Sequence, residues 1–354
     1  MGSKVAVLKT SPESVLKDYR RVMKKAEYKK YLPSSKDVIL KLNLSWSLYF
    51  PACSTEPWQL DGVLRVLKGD KYSIIAVENK TVVTDPWKGA EQNKWIDILR
   101  KNNLTFRSLT NCDWINYIPK HEMIAMYDIF PRGFKIPEIF IGRSVLHLPT
   151  MKTHGHTTMT GAMKNAFGGL LREHRHHSHK LIHEILVDLL QIQKEIHTGI
   201  FAVMDGTVAG DGAGPRTMTP KIKSYILASG DQVAIDAVAA KMMGFDPLKI
   251  PFIKIAHDRG LGMGDVDQID IIGDDITNVN FHFHTEKSPV IYWDQMFRKG
   301  KLSFLEPIIF HTPIFKIPIF LSAFYHDFLW YPLVGKKHIK EFMKTDWGKL
   351  FKTY

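Results

Sequence analysis

Residues 151 to 171, MKTHGHTTMTGAMKNAFGGLL, hold Lys152, His154, His156, Lys164 and Asn165 among threonines, glycines and small apolar side chains, with no acid at all. Lysines and an amide in that setting can hold a phosphate or carboxylate and stabilise negative charge as it develops. His154 is a candidate general acid or base, because an imidazole titrates near neutrality. Thr160 and Gly161 look like the start of a short helix running to Phe167. That places Lys164 in the first turns, where the helix dipole disfavours a cation by roughly a few tenths of a kcal/mol. An anion at the helix N-terminus, held by backbone N–H groups with Lys152 and Lys164, would offset this cost. The competing reading pairs the lysines with Asp205, Asp231 or Asp236. Asp236 has only alanines three and four residues further on, so it must find a partner elsewhere in the fold or face solvent.

Short apolar runs with the length of buried strands lie near 4 to 9, 38 to 44, 72 to 79, 144 to 150, 200 to 206, 225 to 231 and 269 to 274. Helical patterns occupy 12 to 30, 57 to 68, 89 to 102, 180 to 197 and 231 to 243, the last with Asp231 as N-cap and Gly244 as C-cap. The alternation predicts an α/β fold, a mostly parallel sheet with helices on both faces. Ligands of such sheets gather beyond the strand carboxyl ends. Polar residues mark five of these ends: Lys41 and Asn43, Glu78, the Lys152 block, Asp205 and Asp231. Lys41, Asn43, Thr160 and Asn165 are therefore expected to bind an anion beside Lys152 and Lys164, with Glu78, Asp205, Asp231 and Asp236 orienting the cations. MDGTVAGDGAGPR, 204 to 216, reads as a loop in which Gly212 and Gly214 allow close approach to a ligand. It carries no nucleotide fingerprint.

Seven of the 16 histidines lie between His154 and His183, among them His174, His176 and His177. His156, His179 and His183 are candidate ligands for a divalent metal, His179 and His183 being spaced i, i+4. A solvated basic loop is the competing reading. No H-E-x-x-H and no G-x-S-x-G occurs.

The chain has 354 residues, ordinary globular composition, a net charge of +12 and two cysteines, Cys53 and Cys112. No intrinsic iron–sulfur cluster is expected, since clusters normally need four thiolates. The N-terminus lacks the apolar stretch of a signal peptide, so the expected compartment is cytoplasmic. The charge suits an anionic small molecule, an acidic membrane surface or a polyanion, but no nucleic-acid-binding signature is present, and nucleic acid is not the expected partner.

Two units are expected: an α/β catalytic or ligand-binding domain over 1 to 285, and an extension over 286 to 354 that is aromatic, broken by prolines and rich in lysine. Pro307, His311, Pro313, Lys316, Pro318, His326 and Asp327 interrupt its apolar run, so it should not span a bilayer. It is expected to pack on the main domain or on a second copy in a homodimer, with anchoring on acidic lipid as the alternative.

VILKLNL, STEP at 54 to 57, LPTMKTHGHTTMTGAMKNAFGGL, VMDGTVAGDGAGP and LASGDQVAIDAVAAKMMGF resemble, in order, the motif blocks of the family catalogued as domain of unknown function 362. Members often carry or sit beside a ferredoxin-type iron–sulfur module, so the resemblance implies reductive chemistry. Lacking cluster cysteines, this chain would take electrons from an external donor such as a ferredoxin. The block is also loosely similar to the lactate racemase family, which uses a nickel-bearing nucleotide. The leading expectation is thus an oxidoreductase acting on a carboxylated or phosphorylated substrate or cofactor. The alternatives are a metal- or nickel-pincer-nucleotide-dependent isomerase or lyase, and a non-catalytic membrane-surface or nucleic-acid-binding protein.

Overall fold

Val5 and Val7 join one apolar core while Ala6 and Leu8 join a second, and in the next strand Ile39 faces the first core as Val38 and Leu40 face the second. Strands buried on both faces belong to a sheet covered by helices on both sides. The computed structural model has this architecture. It describes residues 2 to 33 and 37 to 354, apart from the side chains of Glu173 and His174.

The strands are β1 (Lys4–Lys9), β2 (Val38–Lys41), β3 (Ile74–Glu78), β4 (Phe106–Ser108), β5 (Trp114–Tyr117), β6 (Phe134–Pro137), β7 (Ser144–His147), β8 (Thr150–His154), β9 (Thr158–Met159), β10 (Ile200–Ala213), β11 (Thr217–Ser229) and β12 (Asp270–Gly273). The main sheet runs β12-β1-β11-β10-β7-β2-β3-β4, with β8 pairing onto β10 and β9 onto β8, while β5 and β6 pair separately. Pairing is parallel from β10 through β7, β2 and β3 to β4, and between β1 and β12; β11 runs antiparallel to both its neighbours.

Helices Ala162–Leu170, Ile182–Ile196, Gln232–Met243 and Pro251–Asp258 cover the first face, and Val15–Lys25, Pro57–Gly69 and Trp95–Lys101 the second. Gln232–Met243 carries the expected caps: the Asp231 carboxylate accepts from the Val233 and Ala234 N–H groups, and Gly244 takes φ 102°.

Two local expectations are corrected. The glycine-rich run is largely strand, because β10 extends through it to Ala213 and returns as β11. Its glycines serve close packing: a Cβ on Gly210 would lie 2.4 Å from the Met218 sulfur and 3.0 Å from the Lys152 Cβ. The helix expected over 89 to 102 is two, Pro86–Gln92 and Trp95–Lys101, separated where Lys94 adopts φ 64°.

From Pro289 onward the chain is mostly helical, through Pro289–Arg298, Glu306–His311, Lys316–Ala323, a π-helical stretch Phe324–Gly335, Lys336–Phe342 and Asp346–Phe351. Among the described residues no single helix is long and apolar enough to cross a membrane; one pair, Ser303–His311 and Pro313–Phe342, is so only when taken together, and it is bent by 88°. The chain end packs on the main domain. Phe342, Trp347 and Phe351 enter the second core, Trp347 lies 5.1 Å from Trp58, and Phe351 stacks on Tyr49 at 4.0 Å. Trp330 and Tyr331 pack against a cluster of Trp46, Phe50, Cys53 and Met218, and the Trp46 indole donates to the Asp327 carboxylate at 2.7 Å.

Candidate functional site

At the carboxyl end of β2, Ile39 and Lys41 share the parity that faces the helix Ala162–Leu170. Lys41 is buried, and its Nζ donates to both Glu78 oxygens, at 2.8 and 2.9 Å, and to the Leu42 carbonyl at 2.6 Å. Burial lowers its pKa, and Glu78 opposes that shift. Lys152, on β8, is also buried but meets no acid: Asn43 Oδ1 accepts from its Nζ at 2.8 Å, Ser45 Oγ at 2.9 Å, and the Cys53 carbonyl completes the set. Desolvation pushes Lys152 down to about 8.

Above these residues lies a cavity of about 350 Å³. Lys41, Asn43, Glu78, His154, Thr160, Lys164 and Asn165, expected at a common site, line it from the α/β side, together with the candidate metal ligands His156 and His179. Lys152 is not part of the lining; it sits one layer beneath and holds Asn43 and Ser45, which are. Asn165 donates to the Lys41 carbonyl at 3.1 Å, and Thr160 Oγ1 donates to the Thr150 carbonyl at 3.0 Å.

His154 accepts the His156 backbone N–H at Nδ1, 3.1 Å away, so its neutral ring carries the proton on Nε2. Burial holds its pKa well below the ordinary value, with Lys164 adding to the effect. It is thus a neutral proton donor in the resting site rather than an imidazolium.

The short helix is Ala162–Leu170, one to three residues later than its sequence boundaries, with Lys164 in its first turn. Its N-terminus is not free for a ligand. The Asp236 carboxylate occupies it, accepting from the Ala162 N–H at 2.6 Å and the Met163 N–H at 3.1 Å. A carboxylate supplied by a neighbouring helix thus fills the place expected for a bound anion. Lys164 itself reaches the cavity wall with its Nζ 5.1 Å above the Phe167 ring, and no hydrogen bond or ion pair holds it among the described residues. Desolvation, with Arg175 and Lys152 nearby, pushes it down to about 7.

The remaining acids lie elsewhere. Asp205 has the parity of Val203, which faces the second core, and there it accepts from Tyr19 Oη at 2.5 Å, Trp58 Nε1 at 3.0 Å and Thr207. Asp231 follows β11, whose antiparallel course carries its end to the opposite edge of the sheet. Of the five polar strand ends expected to converge, three do. Gly212 and Gly214 do not line the cavity either; they shape the hairpin tip, where a Cβ on Gly214 would fall 1.8 Å from the Thr153 carbonyl. That tip delivers Pro215 and Arg216 to the cavity instead.

The roof comes from the extension, through Trp293, Asp294, Arg298, Phe310, Phe315 and their neighbours. Arg298 is only 2% exposed; its Nε donates to both Asp294 oxygens at 3.0 Å, its guanidinium stacks 3.7 Å from the Phe310 ring, and its Nη1 has no partner among the described residues. Arg216 Nη1 is likewise buried without a partner. Neither arginine was singled out in the sequence. Arg216 could have been, as the cation closing a glycine-rich run after a strand; Arg298 sits in an amphipathic helix with no local signal.

The structure brings two of the three candidate metal ligands together. The His156 and His179 rings stack at 4.8 Å, and Asp294 joins them, with the three donor atoms within 4.8 Å of one another. His183 turns aside against Phe252, 6.0 Å between centroids. Asp294 is already held by Arg298, and His156 is depressed first by burial and further by Lys164, Arg298, Lys299 and Lys287. So cationic a field favours an anion over a divalent cation.

These features define an α/β protein with a cationic cavity at the carboxyl edge of its parallel strands, closed over by a helical extension. The chain belongs to the family described as Domain of unknown function (DUF362), whose model matches residues 38–241, more than half of its length. It is 31% identical over 121 residues to "Thylakoid-associated protein sll1697" of Synechocystis sp. (strain ATCC 27184 / PCC 6803 / Kazusa). That match covers 33% of this chain and 37% of the cyanobacterial protein. No solved structure matches.

Proposed function

We propose that the protein is an enzyme that binds a carboxylated or phosphorylated substrate or cofactor in this cavity. One observation carries the reading: each carboxylate in the cavity lining, Glu78 and Asp294, is already engaged by its own cation, while the buried Nη1 groups of Arg216 and Arg298 have no partner among the described residues and the half-buried Lys164 stands beside them. Buried donors of this kind call for acceptors. Lys164 and Arg216 hold the anion, Asn165 braces the floor through the Lys41 carbonyl, and Lys152 fixes Asn43 and Ser45 below it. Lys164, near neutrality in its pKa, and His154, protonated on Nε2, supply protons to a substrate that gains negative charge. Reduction is the favoured class, with electrons from an external donor such as a ferredoxin.

The name of the Synechocystis relative, thylakoid-associated, supports placing this protein at the periphery of a membrane.

Isothermal titration with inorganic phosphate tests the anion site. Lys164→Met should weaken binding about 10- to 100-fold, the loss of one charge-assisted hydrogen bond, with an unchanged circular dichroism spectrum. Unaltered affinity would remove Lys164 from the site and with it the proposal.

A further inference from the structure

The roof of the cavity has an outer side. Most of the exposed large hydrophobic side chains among the described residues fall between Phe304 and Val334, with Phe304 71%, Phe320 66% and Phe328 69% exposed. Phe320, Phe324 and Phe328 recur at helical spacing and form a ladder, with centroids 6.2 and 6.0 Å apart. Exposed apolar side chains gathered in one segment in this way mark a docking face.

Its surroundings identify the occupant. Residues 307 to 326 contain no acid, Glu306 is buried beside His311, and the exposed Lys299, Lys301 and Lys316 border or interrupt the apolar side chains. Aromatic and aliphatic side chains ringed by lysines match the chemistry of an anionic bilayer surface. The pair Ser303–His311 and Pro313–Phe342 is bent by 88°, a shape that can lay exposed apolar side chains along an interface.

The same face communicates with the cavity. Leu321 is 55% exposed and also lines it. Beside Leu321 the lining is rich in apolar side chains, Phe310, Phe315 and Ile319 among them, with Arg298 stacked on Phe310, and Lys164 and Arg216 add cations from the α/β side. The cavity thus combines hydrocarbon-like surface with cationic donors.

We propose that the face bearing Phe304, Phe320, Phe324 and Phe328 lies in the surface of an anionic bilayer, and that the cavity takes from it an amphiphile with a phosphate or carboxylate head. The head meets Lys164 and Arg216, and the hydrocarbon body lies between Phe310, Phe315 and Ile319. This rests on the anion site proposed above and adds the substrate's apolar part and its source.

Two measurements on the full-length protein test it: sedimentation with vesicles of phosphatidylcholine containing one third phosphatidylglycerol, and calorimetric titration with n-octyl phosphate and with inorganic phosphate. The wild type should sediment with the vesicles and bind octyl phosphate at least about tenfold more tightly than phosphate, through burial of methylenes. The triple variant Phe304→Glu, Phe320→Glu, Phe328→Glu alters exposed side chains that do not line the cavity, so it should stay in solution yet bind octyl phosphate as the wild type does. Lys164→Met should still sediment and lose octyl phosphate affinity at least tenfold. A triple variant that still sediments would overturn the bilayer face. A wild-type dimer that the triple variant abolishes would assign that face to a second copy and overturn it equally. Equal affinity for the two phosphates would overturn the amphiphile while leaving the anion site standing, whereas indifference of both to Lys164→Met would remove the anion site itself.

Discussion

Lys164 is placed where a cation costs most: in the first turn of a helix, desolvated, near Arg175 and Lys152, with an aromatic ring as its neighbour. A cation–π contact returns only about 0.5 to 2 kcal/mol. The pH dependence follows with a definite sign. The ammonium is present below its folded pKa of about 7 and is lost as pH rises through it. Affinity for sulfate, whose own charge is constant in this range, should therefore be greatest below pH 7 and fall by up to tenfold per unit above it, measured by titration calorimetry. Stability runs the other way. The folded pKa lies below the unfolded value, so the unfolded chain binds the extra proton between about pH 7 and 10.5, and stability from this group rises with pH across that window. Lys164→Met should thus raise the melting temperature most at or below pH 7 and converge on the wild type near pH 10. The same variant is expected to bind worse and stand firmer, a pairing that a purely structural lysine would not produce. At this scale the sequence was informative for Lys41, Asn43, His154, Thr160, Lys164 and Asn165, because all follow parallel strands whose ends meet. Of the acids it offered, Glu78 joins them, whereas Asp205, Asp231 and Asp236 do not line the cavity.

The helix Ala162–Leu170 explains why Asp236 does not. Its N-terminal amides are satisfied by Asp236, which projects from Gln232–Met243. Burial raises the Asp236 pKa to about 8, with the two amide hydrogen bonds pulling against it. Those bonds tie two helices together and orient the turn that carries Lys164. Asp236→Ala should cost about 2 to 4 kcal/mol, two buried N–H groups left without acceptors, read as a lower denaturation midpoint. Because the helix would loosen, phosphate affinity should fall as well, although Asp236 does not line the cavity. An unchanged midpoint would show that water replaces the carboxylate fully. The hairpin of β10 and β11 is the element least visible in sequence. Glycine has low strand propensity, so a run with four glycines reads as loop. Cross-strand packing against Met218 and the close approach of β8 override that preference.

Across the whole molecule, the site is a product of two regions far apart in the chain. The α/β part supplies the floor and most of the polar wall, and the extension supplies the roof with Arg298, Asp294 and the aromatic lining. The roof is pinned by Trp330, Tyr331 and the hydrogen bond from Trp46 to Asp327. Asp327→Ala removes that acceptor from Trp46, which is almost fully buried. Amide hydrogen exchange in residues 289 to 335 should quicken about tenfold, the equivalent of one lost bond, while β2, β3 and β7 keep their protection. Equal acceleration in the central strands would mean that roof and sheet unfold together. The sequence alone determined the α/β class, the positions of most strands and of the helix Gln232–Met243, and the group of cations beyond the strand ends. These depend on periodicity and on local capping, which neighbouring residues decide among themselves. Only the tertiary structure decided that Asp205 faces away, that Asp231 sits at the far edge, that Asp236 fills the helix N-terminus and that the C-terminal extension closes the cavity. Those outcomes depend on strand direction, face parity and contacts between distant segments, none of which is written into any local stretch of the chain.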